Sequence, residues 1–380
     1  MFAVSAPGIE GIVASEMEQL GVSEATPVDG GVSFSGDLAQ LYNANLFLRT
    51  ASRVVVRMDE FHASSFHELE RRAKRIRWDQ YLRPGSSARF RVTCRKSRLY
   101  HSDAVAERFA EAVGLQVSGI AISPVVNESV DDAEGDATES LPSQLFTVRL
   151  AHDNCVVSAD SSGVLLHRRG YRQAVGKAPL RETLAAAMVI GSGWDERSPL
   201  IDPMCGSGVI AIEGALLARR IAPGIGRGFA FQKWPNYDNA LWESLVAKAD
   251  EAALRGSVGV IMASDHDDGA VKAAISNAQR AGVADDIDLQ VKPISAIEPP
   301  QGPGWIITNP PYGVRVGERG ALRNLYAQLG KVIRARAMGY TVTLLSSDAV
   351  LESMLQLRLE EVLRTRNGGI PVRLMKGRAA

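Results

Sequence analysis

The chain has 380 residues, more than one ordinary compact domain of roughly 100–200 residues holds, so two or three domains are expected. Hydrophobic residues at 46%, charged residues at 23% and a formal net charge of zero exclude wholesale disorder and a fibrous architecture, and the overall charge alone gives no sign of nucleic acid. No apolar run approaches the ~18 residues of a spanning helix, no basic region precedes an apolar stretch at the start, and Cys94, Cys155 and Cys205 show no CxxC or Cys/His spacing, so a cytoplasmic protein without metal is expected.

Strand-like runs at Gly31–Phe34, Arg53–Met58, Ala88–Thr93, Leu145–Leu150 and Val156–Asp160 alternate with helical ones at Gly11–Leu20, Ser65–Ile76 and Ser102–Val113. That pattern predicts one small α+β unit, or two. Between Arg71 and Arg108 stand twelve Lys or Arg against three acids, a local excess of +9 that would attract a polyanion, although a solvated charged helix would look the same. The stretch from Asn127 to Gln144, rich in acids, Ser and Thr, reads as a solvated loop.

After Leu165 the pattern changes. A helix over Arg181–Ser192 precedes strands at Pro199–Pro203, Gly259–Asp265, Asp288–Lys292, Trp305–Thr308 and Thr341–Ser346, with helical runs between them. Such alternation predicts a parallel sheet covered on both faces. Two last strands, Leu357–Arg364 and Pro371–Lys376, flank Asn367-Gly368-Gly369, a hairpin signal.

Two motifs carry chemistry. Asp202-Pro-Met-Cys-Gly206-Ser-Gly208 follows a short apolar strand and opens a helix, where glycines allow a tight backbone turn beside a ligand and helix amides stand free. The same letters also read G-x-G-x-x-A, a dinucleotide fingerprint. That fingerprint expects an acid ~20 residues on, whereas the next strand-end acid is Asp265, beyond a long insertion. The second motif, Asn309-Pro310-Pro311-Tyr312, follows the strand WIIT. An amine conjugated to a purine ring is a poor nucleophile. The Asn309 side-chain oxygen and the Pro310 carbonyl could accept from its two hydrogens and hold its lone pair toward a methyl donor, while Tyr312 stacks on the base.

With these residues the chain resembles the class I methyltransferases that carry an N-P-P-Y tetrad, and more narrowly the THUMP-domain RNA guanine-N2-methyltransferases. The likeness rests on RKSRLYHSDAVAERF (95–109), RRGYRQAVGKAPLRETLAA (168–186), DPMCGSGVIAIEGALLA (202–218) and NPPYGVRVG (309–317). It implies an α/β protein: a ferredoxin-like segment at 1–50, a THUMP RNA-binding domain at 51–165, and a seven-stranded Rossmann-like catalytic domain at 166–380. The implied cofactor is S-adenosyl-L-methionine, and the implied partner is RNA, ribosomal before transfer RNA. Carried over residue by residue, Asp202, Cys205, Gly206, Ser207 and Gly208 would line the methionine part of the cofactor. Asp265, with His266 beside it, would take the ribose, and Pro179, Leu180, Glu182 and Thr183 would close over it. Asn309, Pro310, Pro311 and Tyr312 would hold the base, and Arg95, Lys96, Arg98, Tyr100 and His101 would touch RNA. Where related enzymes often carry an acid near the adenine amine, this chain has Pro293 or Ile294, with Ser295 as the nearby polar substitute.

Other residues admit plainer roles. Cys205 lies in the glycine loop without a bracketed general base, so it reads as pocket lining. Asp267 and Asp268 suit a helix start. Trp234 and Tyr237 in the insertion could form a lid or stack on substrate. The rival functions are adenine-N6 methylation of nucleic acid, glutamine-N5 methylation of a protein, and a non-catalytic RNA-binding or ribosome-assembly factor.

Overall fold

The computed structural model describes residues 1–123, 143–172, 180–256, 259–312 and 319–379. Its amino-terminal half runs β1 (Phe2–Val4), α1 (Glu10–Gln19), β2 (Thr26–Val28), β3 (Gly31–Ser33), α2 (Leu38–Phe47), β4 (Arg53–His62), α3 (Phe66–Ala73), β5 (Ser87–Arg95), α4 (Ser102–Gln116), β6 (Ala121–Ser123), β7 (Gln144–Ala151) and β8 (Asn154–Asp160). Two helix starts are capped by side chains: Asp37 and Gln40 form a reciprocal capping box on α2, and the Ser65 hydroxyl accepts from the Glu68 amide at α3. The expected loop lies outside the described residues as far as 142, and Gln144 opens β7.

All eight strands of this half join one sheet, in the order β2-β3-β1-β4-β8-β7-β5-β6. β4 pairs antiparallel with β1 along one edge and with β8 along the other. A border at residue 50 therefore runs between neighbouring parts of one hydrogen-bonded sheet. Beneath its far end, buried Trp78 meets Phe90, Phe109 and Phe146 edge-on at 5.0 to 6.0 Å, a packing that suits aromatic quadrupoles.

The second half contains α5 (Glu182–Ser192), β9 (Leu200–Asp202), α6 (Val209–Ala218), α7 (Asn239–Ala252), β10 (Ile261–Asp265), α8 (Asp268–Arg280), β11 (Ile287–Val291), β12 (Trp305–Thr308), α9 (Arg319–Arg336), β13 (Thr341–Ser346), α10 (Ala349–Met354), β14 (Leu359–Asn367) and β15 (Ile370–Arg378). The sheet order is β11-β10-β9-β12-β13-β15-β14, parallel except that β15 runs against both neighbours. This is the seven-stranded Rossmann-like domain expected. Its winding reverses at β9, between β10 and β12, and ligands of such sheets lie at the carboxyl ends there. The closing hairpin turns on Gly368 and Gly369, at φ +53° and +83°, the left-handed pair that a two-residue turn requires.

The insertion between α6 and α7 joins the halves. Arg227 donates to the Val164 carbonyl at 2.6 Å, the Phe231 amide to Ser161 at 3.1 Å, and the Gly224 amide to Leu46 at 2.9 Å. Phe231 stacks on Tyr42 at 4.4 Å, and Trp242 meets both rings edge-on. Trp234 is 2% exposed, donates its indole N–H to Gln144 at 2.8 Å, and accepts from Arg83 at its carbonyl. Tyr237 packs beside Tyr42 and Phe231. Trp234 and Tyr237 are thus docking residues, not a lid or a stacking platform. The sequence pattern could not reveal this because their partners lie about ninety to two hundred positions away.

The basic stretch also divides. Arg83 serves the docking seam, Arg77 pairs with Asp79, and Arg108 pairs with Glu70 and Glu111. Among the described residues no helix is long and apolar enough to cross a membrane. Trp234→Ala should destabilise the chain by about 3–5 kcal/mol, as for a buried aromatic removed from a packed core. An unfolding midpoint in urea shifted well below that of the parent is the expected result, and an unshifted midpoint would show that the seam contributes little.

Candidate active site

The chain leaves β9 at Asp202 and turns through Cys205, Gly206, Ser207 and Gly208 into α6. Gly206 and Gly208 stand at φ +52° and +82°, and a Cβ on Gly208 would come within 2.9 Å of the Ala274 methyl. Only glycine lets this loop lie so close to α8. The loop is held from outside at successive points. The Cys205 amide donates to the Ser264 carbonyl at 2.9 Å, the Gly206 amide to Asp265 Oδ2 at 3.0 Å, and Asn277 Nδ2 to the Ser207 carbonyl at 3.0 Å. Asn277 is buried and accepts from Arg280, which also donates to the Tyr171 carbonyl at 2.6 Å.

Asp265 ends β10 beside the loop. Its Oδ1 accepts from the Asp267 amide at 3.1 Å and lies 3.0 Å from Nδ1 of exposed His266, and its side chain keeps 12% exposure. A carboxylate offers about four acceptor positions, so acceptor capacity remains for a hydroxyl-bearing ligand. Asp267 caps α8 by accepting from the Ala270 amide at 2.7 Å. Burial pushes the Cys205 thiol well up, consistent with a neutral lining group.

Asp202 is nearly inaccessible and accepts from the Thr308 hydroxyl at 2.8 Å and the Met204 amide at 3.3 Å. The bond to Thr308 ties the glycine loop to the second motif. Asn309 follows directly, and its Oδ1 is buried with no hydrogen-bond partner among the described residues. A buried acceptor left unpaired costs about 1–3 kcal/mol, and it is relieved when a donor arrives. Pro310 is buried and Pro311 exposed, with the Pro311 carbonyl 3.5 Å from the Tyr326 hydroxyl. Tyr312 is half-buried, and its hydroxyl accepts from Asn367 at 2.7 Å.

The remaining candidates are placed as follows. Pro179 lies outside the described residues, as do 313–317 of the tetrad stretch. Leu180, Glu182 and Thr183 are buried at the start of α5. Arg172 donates to the Leu180 carbonyl at 2.7 Å and lies 3.5 Å from Glu182, whose carboxyl burial pushes up. Ser295 is exposed in a short 3-10 turn, while Ile294 beside it is buried in an apolar cluster with Ile306, Tyr326 and Leu329. Arg95, Lys96, Arg98, Tyr100 and His101 are exposed where β5 gives way to α4, and the Tyr100 and His101 rings lie 4.1 Å apart. That surface is braced by the β7–β8 turn, for Arg98 donates its amide to Asp153 at 2.7 Å and Asp153 donates to Ser97 at 3.1 Å. Sequence spacing does not mark Thr308, Asn277 or Arg280 as site residues, and it marks Asn367 only as part of a turn. Each acts on a residue distant in the chain.

Comparison with known proteins adds a second kind of observation. Residues 169–376 match the model of the RMKL-like methyltransferase domain, and residues 1–55 match that of the RlmL ferredoxin-like domain. A Synechocystis protein named as a proposed RNA methyltransferase is 37% identical over 99% of this chain and 95% of its own. Among solved structures, SMU.472, described as a proposed methyltransferase and determined with SAH bound, aligns over all of this chain and 97% of its own, at TM-score 0.86 and 28% identity. A Listeria monocytogenes protein described as a predicted N6-adenine-specific DNA methylase aligns over all of this chain and 96% of its own, at TM-score 0.84 and 30% identity.

Asp202 gives the site a pH signature. Burial, the largest influence, pushes its carboxyl up to about 7, against the lowering effect of the Thr308 and Met204 bonds, with the Asp265 charge raising it further. An ordinary unfolded aspartate titrates near ~3.9, so between about pH 4 and 7 the folded chain holds a proton that the unfolded chain has lost. Stability contributed by this group is therefore full below that window and declines as pH rises through it. Asp202→Asn should flatten that decline when urea midpoints are compared from pH 4 to 7. A slope equal to the parent's would assign the effect to another group.

Proposed function

The chain belongs to the family built on the RMKL-like methyltransferase domain, and from that premise we propose that it uses S-adenosylmethionine to methylate an exocyclic amine of RNA, specifically N2 of a guanine in large-subunit ribosomal RNA. The observation that carries this reading is the buried Oδ1 of Asn309 at the carboxyl end of β12, which has no partner among the described residues. It stands next to Thr308, which is bonded through Asp202 to the glycine loop.

The residues fit the cofactor. Gly206 leaves open space beside the loop where a side chain would stand, Asp265 offers acceptor capacity for ribose hydroxyls, and Asp202 and Ser207 belong to the same held turn. Leu180, Glu182 and Thr183 would cover it from α5. When bound, the cofactor supplies an electrophilic methyl carbon on a sulfonium. Asn309 Oδ1 accepts from one hydrogen of the base amine, the Pro310 carbonyl accepts from the other, and the nitrogen lone pair is thereby held in one direction. The adjoining Pro-Pro backbone needs no ordering for this, so orientation is already in place before transfer. Tyr312 offers a ring face to the base. A guanine in a helix must first be turned out, at a cost of about a few kcal/mol, part of which stacking offsets.

RNA as the substrate is supported by the Synechocystis relative's name and by the exposed Arg95, Lys96, Arg98, Tyr100 and His101. Residues 51–165 would then be the THUMP domain, following a ferredoxin-like segment at 1–50, with catalysis confined to 166–380. A second reading, adenine-N6 methylation, has its own support, because the Listeria relative is described in those terms and the tetrad offers the same acceptors to either amine. Transfer RNA is the alternative RNA. Labelled methyl incorporation into ribosomal RNA, transfer RNA and DNA, followed by digestion to nucleosides, separates these readings. N2-methylguanosine from ribosomal RNA is the expected product, and N6-methyladenosine would replace the proposal by the second reading.

Loss of Asn309 should act on the chemical step. Asn309→Ala is expected to lower the single-turnover rate by roughly a hundredfold or more, as for a lost preorganised oxyanion-hole group, while affinity for RNA and cofactor changes far less. A folded variant that turns over at the parental rate removes the tetrad from catalysis.

The RNA surface can be tested separately. Replacing Arg95, Lys96 and Arg98 with alanine together should weaken RNA binding and reduce the slope of log affinity against log salt by about 2–3, at roughly 0.7–0.9 for each phosphate no longer neutralised. Cofactor affinity should stay at the parental value. An unaltered salt slope means that these side chains face away from the RNA.

A further inference from the structure

Tyr312 is held from a part of the chain that plays no other role in the site. Asn367, half-buried at the end of β14, donates its Nδ2 to the Tyr312 hydroxyl oxygen at 2.7 Å across 55 positions of sequence. Its own place is fixed on two sides. It pairs with Ile370 across a turn whose two glycines are both left-handed, so the end of β14 has one defined register. Further along the same strand, a Cβ on Gly8 would come within 1.8 Å of the Arg364 carbonyl oxygen, so the turn after β1 lies directly against the β14 backbone. The hairpin is thus braced by the amino-terminal half at one point and grips the tetrad tyrosine at its tip.

The direction of the bond has a chemical consequence. Because the phenol oxygen accepts from Asn367, the phenol's own hydrogen remains available as a donor. A tyrosine fixed in this way presents both a defined ring plane for stacking and one hydrogen that can be offered to an acceptor on the nucleobase.

We propose that Asn367 is a positioning residue for substrate recognition, setting the plane of the Tyr312 ring and leaving its hydroxyl hydrogen to the base. This rests on the reading that the tetrad holds the base, and the test distinguishes failure of one from failure of the other. Four proteins are compared with the parent by RNA KM and kcat, and by calorimetric cofactor affinity: Asn367→Ala, Tyr312→Phe, the two combined, and Tyr312→Ala. Asn367→Ala and Tyr312→Phe should each lower kcat/KM for RNA by about threefold to tenfold, mainly through KM, with cofactor affinity unchanged. Combined, they should cost no more than the worse single change, because both remove one interaction. Tyr312→Ala should cost more, since the ring face is lost as well. Independently of activity, the Tyr312 ring-carbon resonance in ζ-13C-tyrosine-labelled protein should shift in Asn367→Ala.

Fold-losses that multiply in the double variant, a Tyr312→Phe enzyme at the parental KM, or an unmoved Tyr312 resonance would each overturn the role of Asn367. If Tyr312→Ala remains damaging in those cases, the base-holding reading stands without it. Parental kcat/KM in Tyr312→Ala would instead remove the base-holding reading, and the inference with it.

Discussion

The hydrogen bond from the Thr308 hydroxyl to the Asp202 carboxylate lies where the second sheet reverses its winding, between β9 and β12. The chain leaves these two strands on divergent paths, one into the glycine loop and the other into the tetrad. Without a tie at this point the two halves of the site would be positioned only by strand pairing, which ends at Ile201 and Ile306. The tie is also costly to lose. Asp202 is buried, and a buried carboxyl must keep its partners or remain neutral. The loop's further bonds to Ser264, Asp265 and Asn277 then act on a segment whose starting point is already set. Preorganisation of this kind matters most for a reaction in which the protein orients a weak nucleophile.

A second constraint comes from charges sealed between the halves. Glu16 of α1 accepts from the Arg49 and Thr50 amides, and the Arg49 guanidinium donates to the Leu216 and Ile221 carbonyls at the end of α6. A cation at a helix carboxyl terminus is favourably placed. Arg169 reaches the Arg49 carbonyl and Glu213, Tyr171 donates to Glu213 at 3.0 Å, and Arg172 faces Glu182. Such groups add little net stability once desolvation is counted, but separating one from its partner is expensive. They restrict how the halves fit. Through the Tyr171 carbonyl, Arg280 and Asn277, the segment that carries Arg169, Tyr171 and Arg172 reaches Ser207 of the cofactor loop.

Much of this is legible in the sequence because it is written locally. Apolar strand runs, the Asn-Gly-Gly turn and the Asp267 cap each depend on neighbours within a few residues, and each appears where expected. Long-range partnerships are not legible. In sequence Trp234 suits a lid equally well, since nothing near it names Gln144 as its acceptor. Asn367 reads there only as a turn residue, and its side chain's bond to Tyr312 is invisible to turn statistics. Strand patterns likewise disclose that β4 exists but not that it pairs along both edges.

The order of chain synthesis meets this architecture at an awkward place. The amino-terminal sheet is complete once Asp160 has emerged, yet the surface around Tyr42, Arg49 and Gln144 is covered by residues as far along as Trp242. At about 5–20 residues per second, the intervening stretch takes roughly 4–16 s to appear. An amino-terminal sheet that folds as it emerges would carry an uncovered aromatic and charged face for that interval. The aromatic side chains that close it arrive ahead of the strands of the second sheet other than β9, so the seam can form before the catalytic sheet has assembled around it.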